Sequence, residues 1–198
     1  MPRSWRRAST LASGRFFVED GADPAVAEGA GTIALEMDRA DALGDVVLVA
    51  LGNGSLINGV GSWVKAHRPG TRVVGVAAAG APSMYLSWRE GRVVETPSVA
   101  TIAEGIAIRV PVPEAVAAMR LTVDDVVLVE DAVMIEGMRL AFDTLGLVVE
   151  ATGAVGLAAL LAHPDLGRGL KVSTILCGGN VTAEQARDWL LDPSSASP

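Results

Sequence analysis

A single cysteine, Cys177, leaves no partner for a disulfide within the chain and makes a reducing compartment the default. Lysine is nearly as scarce, with only Lys65 and Lys171. No run of about 18 uncharged apolar residues occurs, so no membrane-spanning helix is expected. A basic stripe is also missing. Acidic residues outnumber basic ones, 23 against 16, for a formal charge of −7. That balance argues against a general nucleic-acid binder and against anionic lipid surfaces, which attract basic clusters. The 22 glycines follow no period, which excludes a collagen-like repeat or a linker. The basic head, MPRSWRRAST, lacks the apolar stretch that a secretory signal needs. An irregular start over residues 1–14 and a cytoplasmic chain are therefore expected.

What is present suits a globular domain. The 198 residues are half apolar and one-fifth charged, enough to bury a core. Asp45 to Leu51 is a continuous apolar run, the mark of a parallel strand buried on both faces. A helix follows the glycine loop as far as about His67, and Pro69-Gly70 ends it. Arg72 to Ala77 is a second buried strand. Strand, loop, helix and strand make a parallel crossover unit.

The alternation then repeats. Strands are expected at Val126–Glu130, Leu147–Glu150 and Lys171–Cys177. Helices are expected at Gly31–Ala42, Met84–Glu90, Asp131–Leu145, Gly153–Leu161 and Thr182–Leu191. Gly146 is placed to cap the third of these helices, and Thr182 with Gln185 to form a capping box. Residues 15–191 thus read as one α/β domain of three layers around a mostly parallel sheet. The tail, 192–198, is expected to be disordered.

The loop Gly52-Asn53-Gly54-Ser55, followed by Leu56, joins a buried strand to a helix. Small residues let backbone N–H groups approach an anion, and the helix dipole adds positive potential. Read alone, the loop fits a ligand-free βα turn as well as a phosphate cradle. A dinucleotide fingerprint would need a third glycine where Ile57 stands, and an acid near Ala77-Ala78-Ala79. A P-loop would need a Gly-Lys-Ser/Thr step, which is absent. A single phosphate monoester remains.

Five segments occur in a telling order: GAGTIALE ending at Glu36, VALGNGSL ending at Leu56, TIAEG ending at Gly105, VEATGA starting at Val149, and LCGGN ending at Asn180. Together they resemble the threonine and serine dehydratases, fold-type II enzymes dependent on pyridoxal 5'-phosphate (PLP), over about residues 10–190. The resemblance implies a tryptophan synthase β-like fold, present in part. It implies PLP as cofactor, with Gly52, Asn53, Gly54, Ser55 and Leu56 around its phosphate. Cys177 and Gly178 are implied beside the pyridine nitrogen, Glu104 and Gly105 along the ring, and Glu150 near the active site. A thiol with an ordinary pKa near 8.5 is neutral at pH 7 and a weak donor. Many members also bind a divalent cation near positions that are Ala77 and Ser83 here; with no acid at either, no metal is expected.

The same resemblance shows what is lacking. The family's Schiff-base lysine lies in a motif ahead of every matched segment, and neither Lys65 nor Lys171 is placed to replace it. Lys65 lies roughly 15 Å along its helix from the loop, and Lys171 begins the last strand. Both are expected to be solvated. The chain is therefore expected to begin mid-fold, and to need a homo-oligomer or a complementing N-terminal chain to cover exposed apolar surface. The implied activity is β-elimination and deamination of L-threonine or L-serine to a 2-oxo acid and ammonia. The alternatives are a non-catalytic PLP or phosphate-binding module, and a structural remnant.

Overall fold

The computed structural model describes residues 18–191; the expectations for the head (1–14) and tail (192–198) fall outside them. Four strands form one parallel sheet: β1 (Val46–Ala50), β2 (Arg72–Ala78), β3 (Asp125–Val129) and β4 (Val172–Thr174), in the order β3-β2-β1-β4. Alternation along β1 explains the layers. Val46, Leu48 and Ala50 share one core with α5 (Asp131–Leu145) and α6 (Ala151–Ala162), through Met134, Met138, Ala154 and Ala158. Val47, Val49 and Leu51 share the other. That second core takes in α1 (Pro24–Arg39), α2 (Ser55–His67), α3 (Ser83–Glu90) and α4 (Pro113–Thr122), through Ala34, Val60, Met84 and Met119. All five residues of β1 are buried, as expected for a central parallel strand.

Several local signals act as expected. Gly146 takes φ 67° and ends α5. Thr182 and Gln185 form a reciprocal capping box, but the helix they open is one α-turn (Ala183–Gln185) that widens to a π-helix over Ala186–Leu191. Other expectations need correction. Helix α1 begins at Pro24, not Gly31, because Asp23 caps it by accepting a hydrogen bond from Ala25 N–H and Pro24 fits the first turn. Leu147–Glu150 forms no strand. Leu147 and Val148 are exposed, and the backbone bonds of the segment are not a ladder: Leu147 N–H donates to the Ala141 carbonyl, Glu150 N–H to the Gly178 carbonyl, and the Glu150 carbonyl accepts from Ala154 N–H. The last strand spans three half-buried residues rather than Lys171–Cys177, because it lies at the sheet edge and pairs with β1 alone.

The two lysines lie where the strands begin. Lys65 forms an ion pair with Asp124, whose carboxylate also accepts from Val73 N–H at 2.7 Å. Lys171 donates to the Asp41 carbonyl at 2.6 Å. Lys65 is thus a partnered side chain, not a freely solvated one. Burial alone would raise the Asp124 pKa. The Lys65 and Val73 hydrogen bonds and the nearby cations outweigh it, so the net shift is downward. A depressed carboxylate stabilises the fold above its unfolded pKa, near 4, and loses that contribution as pH falls through the folded value. Asp124→Asn should therefore cost about 1 kcal/mol at pH 7 and flatten the acid limb of stability below about pH 4. Urea titrations of both proteins between neutral and acid pH would check this; parallel acid limbs would contradict it.

Candidate functional site

The site lies at the opposite edge, where the strands end. After β1, Leu51 N–H still bonds to the Val76 carbonyl, and then the chain leaves the sheet. Gly54 turns it into α2 with φ 100°, a left-handed geometry that side chains disfavour. Gly52 packs so closely that a Cβ there would lie 2.5 Å from the Gly105 carbonyl oxygen. Among the described residues, no group accepts a hydrogen bond from the N–H of Gly52, Asn53, Gly54, Ser55, Leu56 or Ile57. Those residues lie at the positive end of a 13-residue helix. The Ser55 hydroxyl oxygen accepts from Gly21 N–H at 2.7 Å, which leaves its own proton available to donate.

These groups line a cavity of about 410 Å³. Gly52, Asn53, Gly54, Ser55 and Leu56 form one side; Gly105, Thr152 and Cys177 also line it. So seven of the ten residues expected at the site share one cavity. The Cys177 side chain is exposed. Removal of water from the thiolate by the surrounding protein raises the thiol pKa. The backbone hydrogen bond opposes this, and the Glu150 carboxylate adds to it. The thiol is therefore protonated at neutral pH.

Glu104, Glu150 and Gly178 stand apart. Glu104 and Glu150 line an adjoining polar cleft of about 120 Å³, which shares Gly105 and Thr152 with the main cavity. Glu150 accepts from Asn180 N–H at 3.2 Å, and a Cβ on Gly178 would lie 2.1 Å from its Oε1. Gly178 and Asn180 are thus packed beneath and held by Glu150. Three residues were not anticipated. Asp20 lines the cavity, and no Lys, Arg or His does so among the described residues. Thr152 accepts from Gly105 N–H at 3.1 Å. Asp131 accepts from the Thr101 hydroxyl at 2.6 Å and from Ile102 N–H at 2.9 Å, fixing the start of the TIAEG loop. Such roles depend on tertiary contacts that spacing along the chain does not reveal.

At the positions considered for a cation, Ala77 is buried in β2 and the Ser83 hydroxyl donates to the Ile108 carbonyl at 2.6 Å. Among the described residues no three His, Cys, Asp or Glu side chains gather as a metal cluster, and no helix is long and apolar enough to cross a membrane. A larger groove of about 750 Å³ runs along α1, α2 and α4. It shares only Ser55 with the cavity and is lined mainly by helix sides such as Ala27, Leu35 and Trp63. Convergent polar groups mark a binding site better than size does, and the smaller cavity has them.

A parallel α/β sheet with an anion-ready loop at the carboxyl ends of its strands is the frame of a phosphate-bearing cofactor site. Residues 3–178 match the family model described as pyridoxal-phosphate dependent enzyme, and the chain belongs to that family, whose cofactor is PLP. It is 38% identical over 170 residues to an L-threonine ammonia-lyase of Geobacter sulfurreducens, covering 85% of this chain and 42% of that protein. Its fold matches the processed threonine deaminase isoform 2 of Solanum lycopersicum (TM-score 0.85, 28% identity, 92% of this chain and 51% of that one). It also matches maize serine racemase (TM-score 0.83, 27% identity, 91% and 56%). The chain spans about half the length of these proteins or less. The cavity fits the cofactor: its volume suits a small ligand, and its free amides suit a phosphate.

Proposed function

We propose that this chain supplies the phosphate cradle and ring pocket of a PLP-dependent ammonia-lyase acting on L-threonine or L-serine. One observation carries the reading: Gly52 to Leu56, five residues whose backbone N–H groups have no acceptor among the described residues, line the same cavity as Cys177. The amides of Gly52 to Leu56 would hold the phosphate, with the Ser55 hydroxyl as a further donor. Among the described residues no Lys, Arg or His lines the cavity, so there the amides and the helix dipole meet the anion's charge. The neutral Cys177 thiol would serve the bound cofactor as a weak donor, with Gly105 lining the same cavity. When bound, PLP supplies an electron sink that lets the amino acid lose its α-proton and β-hydroxyl and leave as a 2-oxo acid and ammonia.

A non-covalent binding module is the second reading, and the lysines favour it. Lys65 and Lys171 both lie at the strand-start edge, away from the cavity. A covalent link to the cofactor aldehyde then requires a lysine other than these two. Equilibrium dialysis of the purified chain with PLP, followed by borohydride reduction and peptide mass spectrometry, tests both parts. Saturable binding is expected, without a stoichiometric adduct on either lysine and without ammonia from threonine or serine. Failure to bind would remove the cradle; a stoichiometric adduct or turnover by the chain alone would overturn the lysine account.

A further inference from the structure

We infer that Thr152 is a positioning residue for the cofactor cavity, acting through Gly105 on the phosphate loop. The inference rests on the reading of this cavity as the PLP site. Gly105, Thr152 and Gly52 come from three separate elements: the turn at Glu104–Ile106, the first turn of α6, and the loop after β1. They meet without slack. Thr152 accepts the Gly105 N–H at 3.1 Å, and a Cβ on Gly105 would lie 2.9 Å from Thr152 Cγ2. The Gly105 carbonyl in turn fills the space in front of Gly52, where a Cβ would come within 2.5 Å of it. Thr152 is buried, and it lines both the main cavity and the adjoining polar cleft.

The TIAEG loop is thus held at two points. Asp131 fixes its start through Thr101 and Ile102, and Thr101 accepts from Ala103 N–H at 3.2 Å. Beyond that, Glu104 and Gly105 are exposed, and the Gly105 N–H has Thr152 as its acceptor. Removing that acceptor leaves a part-buried amide unpaired, a loss that a protein relieves by moving the amide toward water. Gly105 is packed between Thr152 on one side and Gly52 on the other, so a shift of its amide also shifts the carbonyl that faces Gly52. The same hydroxyl therefore sets the separation between the ring edge of the cavity and its phosphate end.

Thr152→Val keeps the shape and removes the acceptor; Thr152→Ser keeps the acceptor. Dialysis against PLP should show about tenfold weaker binding for the valine variant, the size of one buried hydrogen bond, and binding within about twofold of the parent for serine. Ligand-free melting separates this from a merely structural role, since a general loss of stability would not be restored in binding by serine alone. Hydrogen exchange at the Gly105 amide of the unaltered protein gives a second test that does not depend on any variant folding: slow exchange is expected, and exchange at the rate of an open loop overturns the inference. Equal PLP affinity for valine and parent overturns it while leaving the cavity assignment intact. If the parent itself binds no PLP, the cavity assignment fails and the inference with it.

Discussion

Gly54→Val is expected to reduce PLP affinity by about a hundredfold. Residue 54 holds φ 100°, where a β-branched side chain costs about 1–2 kcal/mol. Its Cβ would lie 2.8 Å from the Ala115 Cβ and 3.2 Å from the Asn58 amide nitrogen. Neither neighbour gives way cheaply. Ala115 sits on α4, and the Asn58 amide is tied to the Ala115 carbonyl at 3.1 Å, while its oxygen accepts from Thr122 at 2.7 Å. Forcing a side chain into such a site costs about 1–3 kcal/mol more. The least expensive response is for residue 54 to leave the left-handed region, which reorients the amides of residues 53–55. About 3 kcal/mol of lost complementarity corresponds to roughly two orders of magnitude in affinity. Gly70→Ala is the matching control: its φ is ordinary, and no atom lies within 4 Å of the added carbon. PLP titrations of both variants, beside their melting curves, decide the matter. Unchanged affinity in a folded Gly54→Val protein would mean that the loop does not hold the phosphate.

The glycine loop was legible in the sequence because its causes are local. A five-residue apolar strand, two glycines and a helix start are all visible within a dozen positions, and the structure has the loop where the pattern put it. The same holds for α5, whose end at Gly146 is set by a single left-handed residue. Long-range packing was not legible. Leu147–Glu150 has the composition of a strand, but a strand also needs a neighbour to pair with, and composition does not report one. Glu150 matched a segment near the cavity, yet its carboxylate is occupied with Asn180 N–H and stacked on Gly178. Thr152, two residues on, faces the cavity instead. Its partner, Gly105, is 47 positions away, so no local pattern connects them. A turn set by its own backbone is thus read more easily than a contact between distant segments.

The largest stability loss is expected at Gly59, on the buried side of α2. Here α1 and α2 cross with almost no separation. A Cβ on Gly59 would lie 2.1 Å from the Ala27 carbonyl oxygen and 2.8 Å from Gly31 N, and a Cβ on Gly31 would lie 3.0 Å from the Gly59 carbonyl oxygen. All of these are backbone atoms, so no rotamer change relieves the clash; the helices must part. Parting them opens the core around Ala34, Val60 and Val64. In a helix interior, glycine to alanine would by itself gain up to about 1 kcal/mol. Overpacking of 3 kcal/mol or more outweighs that, so Gly59→Ala should lose about 2 kcal/mol net. Gly29→Ala, in the neighbouring helix α1, provides the opposite sign: nothing lies within 4 Å of its added carbon, so the gain in helix propensity is not offset. The damage at Gly59 also reaches the cofactor site. The chain entering α1 is tied to the cradle through Gly21, whose N–H donates to Ser55 and whose α-carbon abuts the Asn53 carbonyl. Pulling α1 away therefore draws on Ser55 and Asn53, and PLP affinity should fall together with the urea midpoint. If Gly59→Ala were as stable as the parent, the close crossing of α1 and α2 would be wrong; if it lost stability but kept its affinity, the Gly21 tether would not matter to the cradle.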